Sequence, residues 1–318
     1  MERILSEAES FQDQTTAIRS RILDVLAQLP WDGTNFRHEI PGLSLYRVIE
    51  PAGPFFSLYE PSLSLIISGS KRVRIGDETL VYDASRFFLT TIGLPMTGQI
   101  CEATTAEPYV AARLSLDLEA LRRLIANHDL HPTDTSDHDR GGVVGTTTPE
   151  LYDAFWRLIS LVNSPDDIPF MANHIRNEIF YRLLTGEQGA RLRRFALAGT
   201  NSNRVAKAVA WLKENYTMPL RVEALADMAN MGVSTLHHHF RAMTAMSPLQ
   251  FQKHLRLHHA RELMLSGSLD AATAALRVGY ESPTQFSREY RRMFGHPPLR
   301  DVKALLKSGD SANRSSVG

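Results

Sequence analysis

Apolar residues change their spacing twice along this chain, and each change marks a different kind of structure. Over residues 1–30, Ile18, Ile22, Val25, Leu26 and Leu29 recur near helical spacing and Pro30 closes the run, which predicts one helix. From about residue 40 to 115 the period shortens. Leu43 and Leu45 alternate with polar neighbours, and Ser62-Leu-Ser-Leu-Ile-Ile alternates and then runs apolar. Lys71-Arg-Val-Arg-Ile, Gly76-Asp77 and Glu78-Thr-Leu-Val-Tyr read as a hairpin, and Arg86-Phe-Phe-Leu and Tyr109-Val-Ala-Ala-Arg-Leu supply further strands. Short strands at this spacing predict a small sandwich or barrel. Three helices follow: Leu116–Asn127, a second from Thr148 (N-cap) and Pro149 to about Val162, and a third from Pro169 to about Leu184. Residues 128–147 read as a loop, and the Gly- and Ser-punctuated stretch 186–203 as an interdomain linker.

Beyond residue 204 the pattern is helical and repeats itself. Val222, Leu225, Ala226 and Ala229 stand at offsets 0, 3, 4 and 7, and so do Ala271, Ala274, Ala275 and Val278. Asn230 follows the first set and Gly279 the second, both residue types that tolerate a left-handed turn. A second helix then starts in each copy. It is capped by Gly232 in the first copy, and by Ser282 with Pro283 at the first helical position in the second. Leu236 and Phe240, then Phe286 and Tyr290, place core residues four apart at a 50-residue offset, with Glu281 as an inserted residue. This is the helix-turn-helix plan, twice. A helix from Ser247-Pro248 to about Leu265 joins the two units.

Charge separates the two regions. The 318 residues carry no net charge, but residues 1–200 hold 19 basic against 26 acidic residues, and residues 201–307 hold 15 against 8. A basic third on a neutral chain points to a polyanion. On the second helix of each copy, the side away from the core carries Ser234, Thr235, His238 and Arg241, then Thr284, Gln285, Arg288, Arg291 and Arg292. Short polar groups near the helix start suit base edges, and arginines suit guanine or phosphate, so these nine are the expected contacts to double-stranded DNA. Arg288, nearest the helix start, is the expected base reader; Arg291 and Arg292 lie closer to the backbone.

The stretch 204–301 resembles the DNA-binding domain of AraC/XylS-type transcription regulators. The matching residues are Pro219-Leu-Arg-Val-Glu-Ala-Leu-Ala, Met246-Ser-Pro-Leu-Gln-Phe-Gln-Lys-His-Leu-Arg-Leu and the long run from Arg277-Val-Gly-Tyr-Glu-Ser-Pro to Met293-Phe-Gly-His-Pro-Pro. Pro61-Ser-Leu-Ser-Leu-Ile-Ile-Ser-Gly and Arg113-Leu-Ser-Leu-Asp resemble the cupin-like N-terminal domain of one subgroup. The resemblance implies an α+β chain: a β-rich cupin-like barrel with helices, then an all-α domain of two helix-turn-helix units. It implies a small-molecule effector for the first, with RNA polymerase and a second copy of the chain as protein partners. The chain departs from the family at Gly232, where Ser is usual, and at His238, where a stronger donor is usual.

The expected division is 1–186 for sensing and dimerisation, 187–203 as linker, 204–307 for DNA binding and 308–318 as a disordered tail. No cofactor, metal or catalytic residue is expected. The lone Cys101 forms no internal disulfide and excludes a multi-cysteine metal site. Between His38 and His128 there is no histidine, which removes the usual ligands of a metal-dependent cupin enzyme. His254 and His258 share a helix face but have no third ligand nearby in sequence. The rival function is a small-molecule-binding cupin or enzyme with an accessory helical interaction domain. No apolar run approaches the ~18 residues of a membrane helix, and the polar start MERILSEAES does not read as a secretory signal, so a cytoplasmic chain is expected.

Overall fold

The computed structural model describes residues 2–130 and 140–307, with residues 2–12 and 307 by backbone alone. The expected tail, 308–318, lies outside the described residues. The elements are α1 (Glu2–Ala27), β1 (Asn35–Phe36), β2 (Leu43–Val48), β3 (Ala52–Tyr59), β4 (Ser62–Ser68), β5 (Ser70–Ile75), β6 (Glu78–Asp83), β7 (Arg86–Thr90), β8 (Leu94–Glu102), β9 (Tyr109–Ser115), α2 (Leu118–Asn127), β10 (Gly142–Thr146), α3 (Pro149–Ser160), α4 (Ile168–Thr185), α5 (Gly189–Ala196), α6 (Asn201–Glu214), α7 (Val222–Met228), α8 (Val233–Thr244), α9 (Pro248–Leu265), α10 (Ala271–Arg277), α11 (Pro283–Phe294) and α12 (Pro298–Lys307).

Two antiparallel sheets form the barrel, in orders β1-β2-β9-β4-β7-β10 and β3-β8-β5-β6. In the larger sheet β4 is buried on both faces, Ser62 through Ile67, because helices cover its outer side and the barrel interior its inner side. The Arg19 Nε donates to the Ile67 carbonyl at 2.9 Å, and the Arg21 guanidinium lies 3.4 Å from the Trp156 ring centre, fixing α1 between β4 and α3. The hairpin read from the pattern is present: Ile75 pairs with Glu78 around Gly76-Asp77.

Two segments differ from the sequence reading. Within the expected loop 128–147, residues Gly142–Thr146 form β10, paired with β7 from Gly142↔Thr90 to Thr146↔Arg86. The glycines there are strand residues: Gly145 packs directly against the Phe87 ring, which leaves no room for a side chain. Within the expected linker 187–203, α5 buries Leu192, Phe195 and Ala196, and Thr200 caps α6 by accepting from the Asn203 N–H at 3.1 Å. An apolar triplet at i, i+3, i+4 on a basic eight-residue helix is masked by its glycine flanks. One apolar core consequently runs from Ile22 through the barrel and α5 to Leu255, while Leu257, Ala260, Met264, Phe286, Tyr290 and their neighbours form a second.

The two helix-turn-helix units are α7–α8 and α10–α11. Their turns use Asn230 at φ 51° and Gly279 at φ 90°, the left-handed conformation the motif requires. Ser282 accepts from the Gln285 N–H at 3.3 Å, whereas Gly232 starts α8 without a side-chain cap. Between the units runs α9, opened by a capping box of Ser247 and Gln250. It contributes Phe251 and Leu255 to the first core and Leu257, Ala260 and Met264 to the second.

The helical half docks on the barrel through β3 and β8. Alternation on β3 sends Phe55 and Tyr59 into the barrel interior and Phe56 outward. Phe56 meets Phe294 edge-on at 4.9 Å and His258 at 6.2 Å between ring centres. Lys213 Nζ lies 2.6 Å from both Glu60 carboxylate oxygens, and the Gly141 N–H donates to the Met243 carbonyl at 2.9 Å.

Candidate nucleic-acid interface and barrel cavity

The second helix of each unit is held by an apolar stripe and presents the opposite side outward. α8 buries Leu236, His239, Phe240 and Met243, and α11 buries Phe286 and Tyr290. All nine expected contact residues are exposed: Ser234, Thr235, His238 and Arg241 on α8, and Thr284, Gln285, Arg288, Arg291 and Arg292 on α11. At 100° per residue, His238 and Arg288 lie about 200° from Leu236 and Phe286, the centre of each outer face. Arg292 differs in its surroundings. It lines a crevice of about 390 Å³ between the halves, together with Arg74, Thr97, Lys253 and Glu289.

The one carboxylate of α11 is neutralised locally. Glu289 accepts from Lys253 at 2.9 Å, from the Tyr280 hydroxyl at 2.7 Å and from Gln285 Nε2 at 3.3 Å. Burial opposes its charge, but these hydrogen bonds outweigh burial and hold the carboxyl below its usual range. The arginines of α11 therefore keep their field. His239 is no contact residue: it is buried, and its Nε2 lies 3.0 Å from Asn201 Nδ2, joining α8 to α6.

Two clusters that fix the relative placement of the units were not singled out from the sequence. Arg256 donates from Nε to the Tyr216 carbonyl at 2.6 Å, from Nη1 to Gly279 at 2.9 Å, and from Nη2 to Thr217 and Met218 at 3.1 and 2.9 Å. One guanidinium thus ties the second turn to the segment before α7. Arg261 pairs with Asp301 through Nε at 2.9 Å and Nη2 at 3.2 Å, and the Tyr290 hydroxyl donates to the same carboxylate at 2.8 Å. Their sequence signal is a charged residue on the inward side of its helix, Arg256 and Arg261 on α9 and Asp301 on α12. On α9, burial also lowers His254, and it lowers His258 to about 4 with Nε2 unpartnered. Among the described residues no three His, Cys, Asp or Glu side chains come together as a metal site.

Inside the barrel lies a cavity of about 240 Å³. Its lining includes Tyr46, Tyr59, Tyr82, Tyr109, Lys71 and Arg113, and Leu305 of α12 reaches it from the helical half. A wider groove of about 860 Å³ runs between α1 and the barrel, with charges of both signs, among them Arg19, Arg47, Asp83 and Glu102.

Known proteins match both halves. The family model described as the AraC-type transcriptional regulator N-terminus covers residues 39–191, and a helix-turn-helix domain model covers 225–304. The HTH-type transcriptional activator RhaS of Citrobacter koseri is 30% identical over 140 residues, 43% of this chain and 48% of that protein. RhaS of Salmonella schwarzengrund is 31% identical over the same share. The match thus spans about half the length of these curated relatives. Among solved structures, unsaturated fatty acid bound ToxT from Vibrio cholerae strain SCE256 aligns with TM-score 0.54 at 11% identity, over 84% of this chain and 97% of that one. An apo ToxT from the same strain aligns with TM-score 0.55 at 9% identity, over 84% and 98%. At such identity the likeness is one of fold: a barrel followed by paired helix-turn-helix units, in the same order. With family models on both halves and this architecture joining them, the chain belongs to the AraC-type transcriptional regulators.

Proposed function

We propose that the chain is a sequence-specific regulator that binds double-stranded DNA through both helix-turn-helix units and is controlled by a small molecule held in the barrel. The observation that carries this is the pair of exposed, equivalently placed polar and cationic faces on α8 and α11, held apart by the single helix α9. In this reading Thr284, Gln285 and Arg288 face base edges from α11, Arg291 and Arg292 meet phosphates, and Ser234, Thr235, His238 and Arg241 form the corresponding set on α8. Control by an effector is supported by the cavity and by the unsaturated fatty acid bound in the ToxT structure, a ligand of that protein. A second copy of the chain and RNA polymerase complete the partners of this reading. Among the described residues no helix is long and apolar enough to cross a membrane, and the family is one of regulators, not enzymes.

The test is selection of bound duplexes from a random pool with the full chain, followed by footprinting. Two protected segments about one helical turn apart on one face of the DNA are expected. One protected segment, or binding without sequence preference, would overturn the reading.

A further inference from the structure

The barrel interior holds a cation where the strand pattern calls for an aliphatic residue. On β5 the inward face is Lys71, Val73 and Ile75, while Arg72 and Arg74 point away from the barrel interior. Lys71 Nζ lies 5.3 Å from the Phe55 ring centre and 5.2 Å from that of Tyr59, and its side-chain hydrogen bond is to Tyr59, a neutral partner. No carboxylate is among the described residues that line the cavity. Directly opposite on the neighbouring strand is Tyr82. Tyr82 is 2% exposed, and its hydroxyl has no hydrogen-bond partner. An ammonium without an anion and an orphaned hydroxyl, side by side in one cavity, are two unmet demands that a single oxyanion satisfies.

The remaining walls define the rest of the occupant. Arg113 is a second cation of the lining, its guanidinium 5.4 Å from the Tyr46 ring centre, and Tyr109, Phe55 and Ile100 present rings and aliphatic surface. The volume, about 240 Å³, lies below the ~300–1,000 Å³ of pockets for drug-sized ligands, so the occupant is compact. The cavity is also in direct touch with the helical half. Leu305 of α12 forms part of its wall, and Asp301 one turn earlier is clamped by Arg261 and Tyr290. On β3, Phe55 and Tyr59 face the cavity while Phe56 between them touches Phe294 and His258. An occupant therefore lies against α12 and one strand away from α9 and α11.

We propose that this cavity binds a compact apolar monoanion, its oxyanion held by Lys71 and Tyr82 and its apolar body against the aromatic walls and Leu305. The proposal rests on the reading of the barrel as the sensory half and names the chemistry that half selects. The wider groove beside α1, with charges of both signs, offers no such selection.

Three probes of equal size test it on the full chain by calorimetric titration: 3-phenylpropanoate, 3-phenylpropanamide and 3-phenylpropylamine. The expected result is an anion bound at least tenfold more tightly than the amide, and no binding of the amine. Lys71→Met should cost the anion at least tenfold and leave anion and amide equal. Tyr82→Phe should cost the anion severalfold. The melting temperature of unliganded Lys71→Met, read alongside the titration, should stay close to that of the parent, so that loss of binding is not loss of fold. Equal binding of anion and amide to the parent, no binding of any probe, or anion preference that survives Lys71→Met overturns the proposal. Gel-shift titrations on a selected duplex separate the two readings. Charge-selective binding with no change in DNA affinity keeps the site and rejects the sensory role. DNA affinity that responds to an uncharged small molecule keeps the sensory role and rejects the site.

Discussion

Replacing Asp301 by Ala isolates the contact that holds α12 in place. The carboxylate accepts three hydrogen bonds: two from the forked Arg261 guanidinium at 2.9 and 3.2 Å, and one from the Tyr290 hydroxyl at 2.8 Å. Arg261 is 8% exposed and Asp301 6%, so water does not replace the lost anion. After the substitution Arg261 keeps only ring faces, with its guanidinium 4.5 Å from the Phe294 centre and 5.8 Å from that of Phe56. Breaking a buried pair from one side costs about 3–5 kcal/mol, because the surviving charge stays buried. That is a large part of the ~5–15 kcal/mol that holds a folded domain together. Urea denaturation followed by circular dichroism at pH 7 is the assay. Asp301→Asn, which keeps an acceptor for Tyr290, should fall between parent and Asp301→Ala. The double variant Arg261→Met with Asp301→Leu should regain much of that loss, since an apolar pair of similar volume replaces a buried ion pair at little net cost, and fall short of the parent by the ~1–3 kcal/mol of the Tyr290 hydroxyl left without an acceptor. If Asp301→Ala stays within about 1 kcal/mol of the parent, or the double variant is no better than the single, the pair is not what anchors α12 and the reasoning fails.

Three further outcomes follow from the geometry. Arg288→Ala should weaken a selected duplex by ~1–3 kcal/mol more than random DNA, whereas Arg291→Ala should weaken both alike; equal losses for Arg288→Ala in a gel shift would remove its base-reading role. Gly279→Ala should lose about 1–3 kcal/mol to its φ of 90° alone, and more because the new Cβ presses on the Thr217 carbonyl; an unchanged urea midpoint would contradict this. His258, whose titration is lowered to about 4 chiefly by burial, and further by Arg261 and His254 against the opposing pull of Glu262, stays neutral in the folded chain while the unfolded chain takes up a proton below ~6.5. Its contribution is complete above that pH and falls by about 1.4 kcal/mol per unit as the pH drops toward 4, so His258→Phe should flatten the acid side of the stability profile, and parallel profiles would refute it.

The parts of the fold that the sequence announces are those where local pattern and tertiary environment agree. Leu236 and Phe240, then Phe286 and Tyr290, repeat with turn residues between the helices because each unit must bury one stripe and open one left-handed turn. Those constraints also place Thr284, Gln285 and Arg288 outward. The β5–β6 hairpin is legible for the same reason. Pattern misleads where glycine has a second use. Around Val143 and Val144, Gly142 and Gly145 make room for the Phe88 and Phe87 rings, not for a turn, and in α5 Gly189 opens a helix too short to show a period. The cavity is hidden differently. Lys71 breaks the inward row of β5, but a lone lysine in an alternating strand reads as register noise until Tyr82 is seen across from it. Arg256 and Asp301 act through partners 40 residues away, Tyr216 and Arg261, and no local window contains both members.

The single helix α9 also sets a rule for the DNA. Its 18 residues make an unbroken rod about 27 Å long, rooted in the core of one unit at Phe251 and of the other at Met264. A rod fixed at both ends does not twist, whereas each base pair inserted between two half-sites moves the second by ~3.4 Å and turns it by roughly a tenth of a revolution. Under the proposed two-unit reading, the spacer length of an operator is then a property of the protein: an operator one base pair longer should turn its second half-site out of line with α11 and lose that half of the contact.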